Sequence, residues 1–156
     1  MTRNFHPLAL LACAAMLPFM THAQTQLSVG QRLTPDQVQS QRALSTVQID
    51  DKTYQVVEQR QTPTGFPLTL VIGPEGVVGQ SLHEVVIDGV APETVRQKAA
   101  SAMAAASAVK AYDRLNMTIA RYPTLAQAAQ ATVQIRKALP AAAVGLPITF
   151  ELPRTH

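Results

Sequence analysis

The residue types of a catalytic triad lie close together at one place in the sequence, where Ser81, His83 and Asp88 follow one another. A triad is recognised by its geometry rather than by its residue types alone, and no strand-turn-helix nucleophile elbow surrounds Ser81. His83 and Glu84 are adjacent, so in a strand they point to opposite faces and do not form a metal or acid–base pair. We therefore predict no catalytic residue here and interpret His83 as a surface histidine at the start of a strand.

Two further motifs could carry chemistry, and each has a simpler structural interpretation. Asp50 and Asp51 separate two strand-like segments, which favours a hairpin turn over a pair of catalytic carboxylates. The glycines of Gly73-x-x-Gly76-x-x-Gly79 lack the lysine and the following helix of a phosphate-binding loop. We interpret them as turn glycines and predict no cofactor, no metal site and no enzymatic activity.

The N-terminus has the three parts of a secretory signal peptide. Arg3 supplies the basic head, Leu8 to Met20 form the apolar stretch, and small residues at positions 21 and 23 precede the predicted cleavage. Pro18 interrupts the apolar stretch, which is shorter than the roughly 20 residues of a membrane span. We predict that residues 1–23 are removed and that the mature protein, starting at Gln24, is periplasmic or extracellular.

Two other outcomes remain open for this segment: an uncleaved N-terminal anchor, and lipoprotein processing at Cys13. Cys13 is the single cysteine of the chain, so cleavage after residue 23 leaves no disulfide, thiol nucleophile or thiolate ligand.

The charge distribution argues against a nucleic-acid partner. The whole chain has 13 lysines and arginines against 10 acidic residues, and these charges are interspersed. It has no tryptophan, 3 tyrosines and 4 phenylalanines, so the aromatic platform that stacks on bases is missing. After signal cleavage we also expect no segment that spans the membrane.

The predicted elements that would position any site fall into two parts. The first, residues 24–81, is a small β-meander with one short helix, which Thr34 caps and Pro35 begins. Its strand-like segments are 46–49, 53–57, 68–72 and 77–78. The second part, residues 82–156, has the predicted order strand 84–88, helix from 92 to about 106, strand 108–112, strand 115–122, helix from 125 to 139 and strand 146–152.

This second order, strand-helix-strand-strand-helix-strand, is that of the ferredoxin-like fold, a four-stranded antiparallel sheet with two helices on one face. In that topology the first and third strands are central. The apolar run Val85-Val86-Ile87 suits a central strand, whereas Lys110 and Pro147 suit edge strands. The sequence therefore predicts an α+β protein with a ferredoxin-like domain after the meander.

Three stretches of the second part carry a family resemblance: residues 83–87, residues 108–119 with the run Ala-Val-Lys-Ala-Tyr-Asp-Arg-Leu-Asn-Met-Thr-Ile, and residues 139–144. They resemble the propeptide of bacterial subtilisin-like serine proteases. Such propeptides have the ferredoxin-like fold and act as intramolecular chaperones and tight inhibitors of the protease that they precede. No protease domain follows His156 in this sequence, so the resemblance implies a free-standing propeptide that acts in trans.

The resemblance also implies how the partner, a secreted subtilisin-like protease, is bound. The open face of the sheet would pack on the protease, and the C-terminal segment would add as a β-strand in the substrate cleft. Leu152 would fill an apolar pocket and Thr155 with His156 would lie nearest the catalytic serine. The full predicted contact set is Phe150, Leu152, Pro153, Arg154, Thr155 and His156. The competing hypothesis is a cell-envelope assembly module of a secretion or pilus system.

Overall fold

A computed structural model of the protein describes residues 26–151, so the predicted signal peptide and residues 152–156 lie outside the described part. The described chain is a mixed α+β protein with two four-stranded antiparallel sheets and four α-helices. The helices are α1 Pro35–Ser40, α2 Pro92–Lys98, α3 Ala100–Met103 and α4 Leu125–Ala138. The strands are β1 Ser45–Ile49, β2 Lys52–Gln61, β3 Pro67–Ile72, β4 Val78–Ser81, β5 Glu84–Asp88, β6 Ala108–Tyr112, β7 Met117–Arg121 and β8 Ala143–Gly145.

The first sheet has its strands in chain order, β1-β2-β3-β4. Local signals explain this part well. The Thr34 hydroxyl accepts a hydrogen bond from the Gln37 backbone N–H, and the Thr34 backbone N–H donates to the Gln37 side-chain oxygen, a capping box that starts α1. The hairpin between β1 and β2 turns at Asp50, whose φ of 57° is one that aspartate tolerates better than most residues.

The second sheet has the order β6-β7-β5-β8, so the strands that come first and third in the sequence are central. β5 pairs with β7 through Val85 opposite Ala120 and Ile87 opposite Thr118, and all four side chains are buried. The helices α2, α3 and α4 pack on the face of the sheet that these four side chains form. The neighbouring positions of β5 and β7 point to the opposite face of the sheet, which no helix covers in the described chain.

Helix α4 contacts strands of both sheets and contributes one face to the main core cluster. Thr124 caps it by accepting a hydrogen bond from the Gln127 backbone at 3.2 Å. The predicted buried stripe of α4 is confirmed: Leu125, Ala128, Thr132, Ile135 and Leu139 are all buried. Its core cluster also includes Val47, Ile49, Tyr54, Val56 and Val71 of the first sheet, so one hydrophobic core joins both sheets.

The other face of the first sheet has its own small apolar cluster. Leu70, Ile72 and Val78 pack there under Leu27 and Leu33 of the N-terminal segment. The second half of β3 is therefore covered on both faces, which explains its apolar run Leu70-Val71-Ile72. The proposed division at residue 81 remains a prediction.

The prediction of one continuous helix from Pro92 to about residue 106 is wrong. The helix is broken at Ala99, with φ −108° and ψ 13°, into α2 and α3. The stripe itself is largely correct, because Val95, Ala99 and Ala102 are buried. An alanine-rich run contains no proline or glycine to signal such a break, so the pattern alone gave a single helix.

The predicted last strand is also wrong. The strand that pairs with β5 is β8, Ala143–Gly145, and the chain then leaves the second sheet. Residues 146–150 cross to the first sheet, where Thr149 pairs with Gln80 of β4 in an isolated antiparallel bridge. Pro147 therefore lies in this crossing segment, and the edge position predicted for it in the second sheet is not where it is found.

The strand predicted to begin at Leu115 begins two residues later. Residues 113–115 form a 3-10 turn that ends at Asn116 with φ 47°, and Leu115 is 62% exposed. β7 follows with Thr118 and Ala120 facing the core, while Met117 and Ile119 face the uncovered side of the sheet. The larger apolar side chains of β7 therefore point away from the helices.

Candidate binding face and C-terminal segment

The C-terminal segment, residues 146–151, is held against the first sheet. The backbone N–H of Gln80 donates to the Thr149 carbonyl at 2.8 Å, and that of Thr149 donates to the Gln80 carbonyl at 2.9 Å. The half-buried ring of Phe150 packs over Gly73 and Gly79, and a Cβ added at Gly79 would lie only 2.8 Å from it. The segment therefore requires glycine beneath it for close approach.

Of the six predicted contact residues, Phe150 alone lies in the described part of the chain. It contacts the protein's own first sheet, and its role toward a partner stays a prediction. Leu152, Pro153, Arg154, Thr155 and His156 lie outside the described residues. The sequence signal for the segment, alternating apolar residues, correctly indicated extended chain but assigned it to the wrong sheet.

The uncovered face of the second sheet, which we call the open face, combines apolar side chains with one ion pair. Its positions follow from the register of β5, β6, β7 and β8. They are Glu84, Val86, Asp88, Ala108, Lys110, Tyr112, Met117, Ile119, Arg121, Ala143 and Gly145. Val86, Met117 and Ile119 form its centre and are half-buried although no helix covers them.

Arg121 organises one end of the open face. It donates from Nε to Glu84 Oε1 at 3.1 Å and forms an ion pair with the same carboxylate. Its guanidinium also stacks on the ring of Phe66, with 3.8 Å from Cζ to the ring centroid. Phe66 comes from the loop between β2 and β3 and is 44% exposed, so the first sheet contributes an aromatic side chain to the second sheet's open face.

A cleft of about 510 Å³ runs along the β6 side of this face. Lys110 lies in its wall with Nζ 4.9 Å from the centroid of the Tyr112 ring. Phe66 and Arg121 line the cleft from the other side. The cleft thus presents two aromatic rings, each with a cation against its face, and can hold an apolar segment that carries a negative charge.

His83 is not on the surface, and the interpretation of it as a surface residue is wrong. Its side chain is 3% exposed, and its backbone has φ 58° at the two-residue link between β4 and β5. Nε2 lies 2.7 Å from the Thr69 hydroxyl, whereas Nδ1 is buried and has no hydrogen-bond partner. The His83 carbonyl accepts from the Tyr122 backbone N–H at 3.0 Å, so this residue contacts β3 and the end of β7.

Burial lowers the pKa of His83 below its ordinary value, because the charged ring loses its hydration. The titratable neighbour is Tyr122, which is also buried; burial raises the pKa of its hydroxyl, which donates to the Ala102 carbonyl at 3.1 Å. Glu84 is paired with Arg121 on the open face. Within the described chain no carboxylate forms an ion pair with His83, so a protonated ring has no counter-charge.

The triad residue types do not assemble. Ser81 is buried, and its Oγ accepts the backbone N–H of His83 at 3.2 Å instead of contacting the imidazole ring. Asp88 ends β5, five residues beyond His83 and therefore on the order of 16 Å away along an extended strand. Ser81 and His83 stabilise the link between the sheets, and the three residues do not form a triad.

The remaining sequence motifs are structural where they are described. Asp50 lies in the β1–β2 turn and forms an ion pair with Arg136 of α4. Gly73 and Gly76 form the turn before β4, with the Gly76 N–H donating to the Gly73 carbonyl at 2.9 Å. Across residues 26–151 there is no group of three His, Cys, Asp or Glu side chains that could hold a metal ion. Over the same range, none of the helices is long and apolar enough to cross a membrane.

Sequence reasoning missed the open-face cluster of Phe66, Glu84 and Arg121. The signal was weak: these residues belong to three separate segments, and only the pairing of Glu84 with Arg121 in register brings two of them together. No family model, no curated protein and no solved structure matches this chain.

Proposed function

We propose that this chain is an exported, non-catalytic binding protein that acts on a secreted subtilisin-like serine protease as a free-standing propeptide, as its inhibitor, its folding chaperone or both. The observation that carries the proposal is the open face of the second sheet, where Val86, Met117 and Ile119 are partly exposed on a side that no helix covers. Contiguous apolar surface of this kind is typical of a protein-binding site.

We further propose that the second part has the ferredoxin-like fold of such propeptides. The strand order β6-β7-β5-β8, with every pair antiparallel, supports this assignment. So does the position of the helices, since their buried residues share one cluster with Val85, Ile87 and Ala120 on a single face. The break between α2 and α3 is a departure within the first crossover and leaves the strand order unchanged.

In the proposed mechanism two surfaces act together. The open face packs on the protease surface and buries its apolar centre. The segment after Phe150 enters the substrate cleft as an added strand, with Leu152 in an apolar pocket and Thr155 and His156 nearest the catalytic serine. Because the bridge between Gln80 and Thr149 fixes the start of this segment, less conformational entropy is lost when the remainder binds.

Export completes the proposal. Residues 1–23 would direct secretion, and the mature protein from Gln24 would meet its protease in the periplasm or outside the cell.

The test is a titration of the mature protein into subtilisin-like proteases, with residual peptidase activity as the readout. We expect stoichiometric loss of activity, and loss of inhibition when Pro153 to His156 are deleted or Leu152→Asp is introduced. Leu44→Asp is the matched control, because Leu44 is 61% exposed before β1. Circular dichroism checks that each variant is folded.

Equal inhibition by the truncated and full-length proteins would overturn the assignment of the tail. If the mature protein inhibits none of the proteases and is itself digested, the inhibitor function is wrong, and assembly in the cell envelope becomes the better hypothesis.

A further inference from the structure

β6 is an edge strand of the second sheet that is open along its outer side. It pairs with β7 alone, and residues 108–111 are all exposed, with Val109 49% exposed. An edge strand presents alternate unpaired N–H and C=O groups and can accept another strand.

Two of the other edge strands offer less free backbone. β8 has only three residues, and β4 is covered at Val78 by the backbone of Gln31 and at Gln80 by that of Thr149. β1, the remaining edge strand, contacts α4 and does not line the cleft of the open face. Of the two edge strands of the second sheet, β6 is therefore the longer one.

The charge at the centre of β6 selects what can pair with it. Lys110 is the middle residue of the strand and, among the described residues, no carboxylate forms an ion pair with it. Glu84 is the carboxylate in the adjacent cleft and is already paired with Arg121. The cleft beside β6 consequently carries one uncompensated positive charge.

A second copy of this chain is a poor occupant. Two β6 strands paired antiparallel about their centres would place Lys110 directly opposite the same lysine, and like charges opposite each other destabilise a strand pair. A strand with an acidic residue at that position gains a favourable cross-strand pair instead. Apolar residues two positions before and after the acid would lie on the same face as the acid and meet the rings of Tyr112 and Phe66, which line the same cleft.

We propose that β6 accepts an extended, acidic segment of the partner protein as an added strand, with a carboxylate of that segment against Lys110. The inference rests on the proposed function only for the identity of the partner as a subtilisin-like protease. It adds a second contact, separate from the C-terminal segment, and specifies its chemistry.

The first test is the inhibition titration with Lys110→Glu. We expect an inhibition constant weakened at least about fivefold, because an attractive cross-strand pair becomes a repulsive one. Lys98→Glu is the matched control, since Lys98 is exposed on α2, away from the open face. Inhibition that is lost on tail deletion but is equal for the two lysine variants would overturn this inference and leave the proposed function standing.

The second test needs no protease. Isotope-labelled mature protein is titrated with the blocked peptide Val-Thr-Glu-Thr-Val, which places both valines on the face of the glutamate, and Val-Thr-Lys-Thr-Val serves as the charge control. We expect the acidic peptide, with a Kd on the order of millimolar, to shift the amide resonances of residues 108–112 and the lysine peptide to leave them unchanged. In Lys110→Glu the preference should reverse.

These arms separate the two proposals. Acidic-peptide shifts at β6 in a protein that inhibits no protease would support the edge-strand site and refute the inhibitor function. Absence of shifts at β6 at millimolar peptide, or equal shifts with both peptides, would overturn the edge-strand site whatever the inhibition assay shows.

Discussion

Acidification should destabilise the protein through His83, well above the pH at which its carboxylates titrate. The ring is 3% exposed, its Nδ1 has no partner, and its pKa is lowered by burial. The unfolded chain, with a histidine pKa of about 6.5, therefore binds more protons than the folded protein. The stability that comes from the neutral ring is fully present above about pH 6.5 and is lost as the pH falls toward the folded pKa.

The slope of the free energy of unfolding against pH has an upper limit for one histidine. While the folded ring stays neutral and the unfolded one is charged, stability falls by about 1.4 kcal/mol for each pH unit. For a domain of this size that corresponds to a fall in Tm on the order of 4–6 °C per pH unit, or about 0.5–1.4 M in the urea midpoint. Glu58 also has a lowered pKa, owing to its hydrogen bond with Arg60, but its effect lies below about pH 4.5.

The assay is urea unfolding of residues 24–156 between pH 7.5 and 5.0, followed by circular dichroism. His83→Asn is the informative variant, because asparagine tolerates the φ of 58° and does not titrate. It should be less stable at pH 7.5 but flat across this range. His156→Gln removes the other histidine of residues 24–156 and should keep the wild-type pH dependence.

The proton signals of the two histidine rings provide a direct check. If the His83 ring in the folded protein titrates near pH 6.5, or if His83→Asn keeps the wild-type slope, the reasoning from its burial is refuted.

Two further substitutions test the packing. Gly79→Ala should destabilise the protein by about 1–3 kcal/mol in urea unfolding, because the added Cβ would lie 2.8 Å from the Phe150 ring. Gly145→Ala is the control and should cost much less, because its Cβ meets nothing within 4 Å. Equal losses of stability would contradict the close approach of Phe150 to Gly79. Arg136→Ala should lower the free energy of unfolding by about 1–2 kcal/mol, since the Arg136 Nη2 donates to the Val144 carbonyl of β8 at 2.7 Å. Lys137→Ala is the control, because Lys137 is exposed on the same helix. An equally small loss of stability in both variants would show that the Arg136 contact contributes nothing.

Much of the fold could be predicted because its signals are local. Thr34 and Thr124 each accept a hydrogen bond from a glutamine three residues later, and these caps fix where α1 and α4 begin. The strand positions of β1, β3, β5 and β6 also follow from short apolar patterns bounded by turn residues, whereas β2 continues beyond its predicted end at Val57 through polar residues to Gln61. The information needed for these elements lies within a few residues of each.

The errors arose where the partner of a segment decides its structure. The alternation of Leu146, Ile148 and Phe150 indicates extended chain. The space that accepts the Phe150 ring lies over Gly79, however, and Gly79 is far away in the sequence. His83 looked like a surface residue because nothing nearby in sequence reveals Thr69, its hydrogen-bond partner on β3. For the candidate site, the sequence indicated Lys110 as an edge residue but not the cleft beside it.

The bridge between Gln80 and Thr149 also constrains how the chain folds as it is made. It joins residues 69 positions apart, so one outer edge of the first sheet cannot be completed until almost all of the chain is available. Contacts of such long sequence separation form late, because the loop must close before they contribute. Until then part of β4 presents free backbone groups that favour aggregation. Nascent or prematurely terminated chains should therefore depend on chaperones more than the full-length protein does.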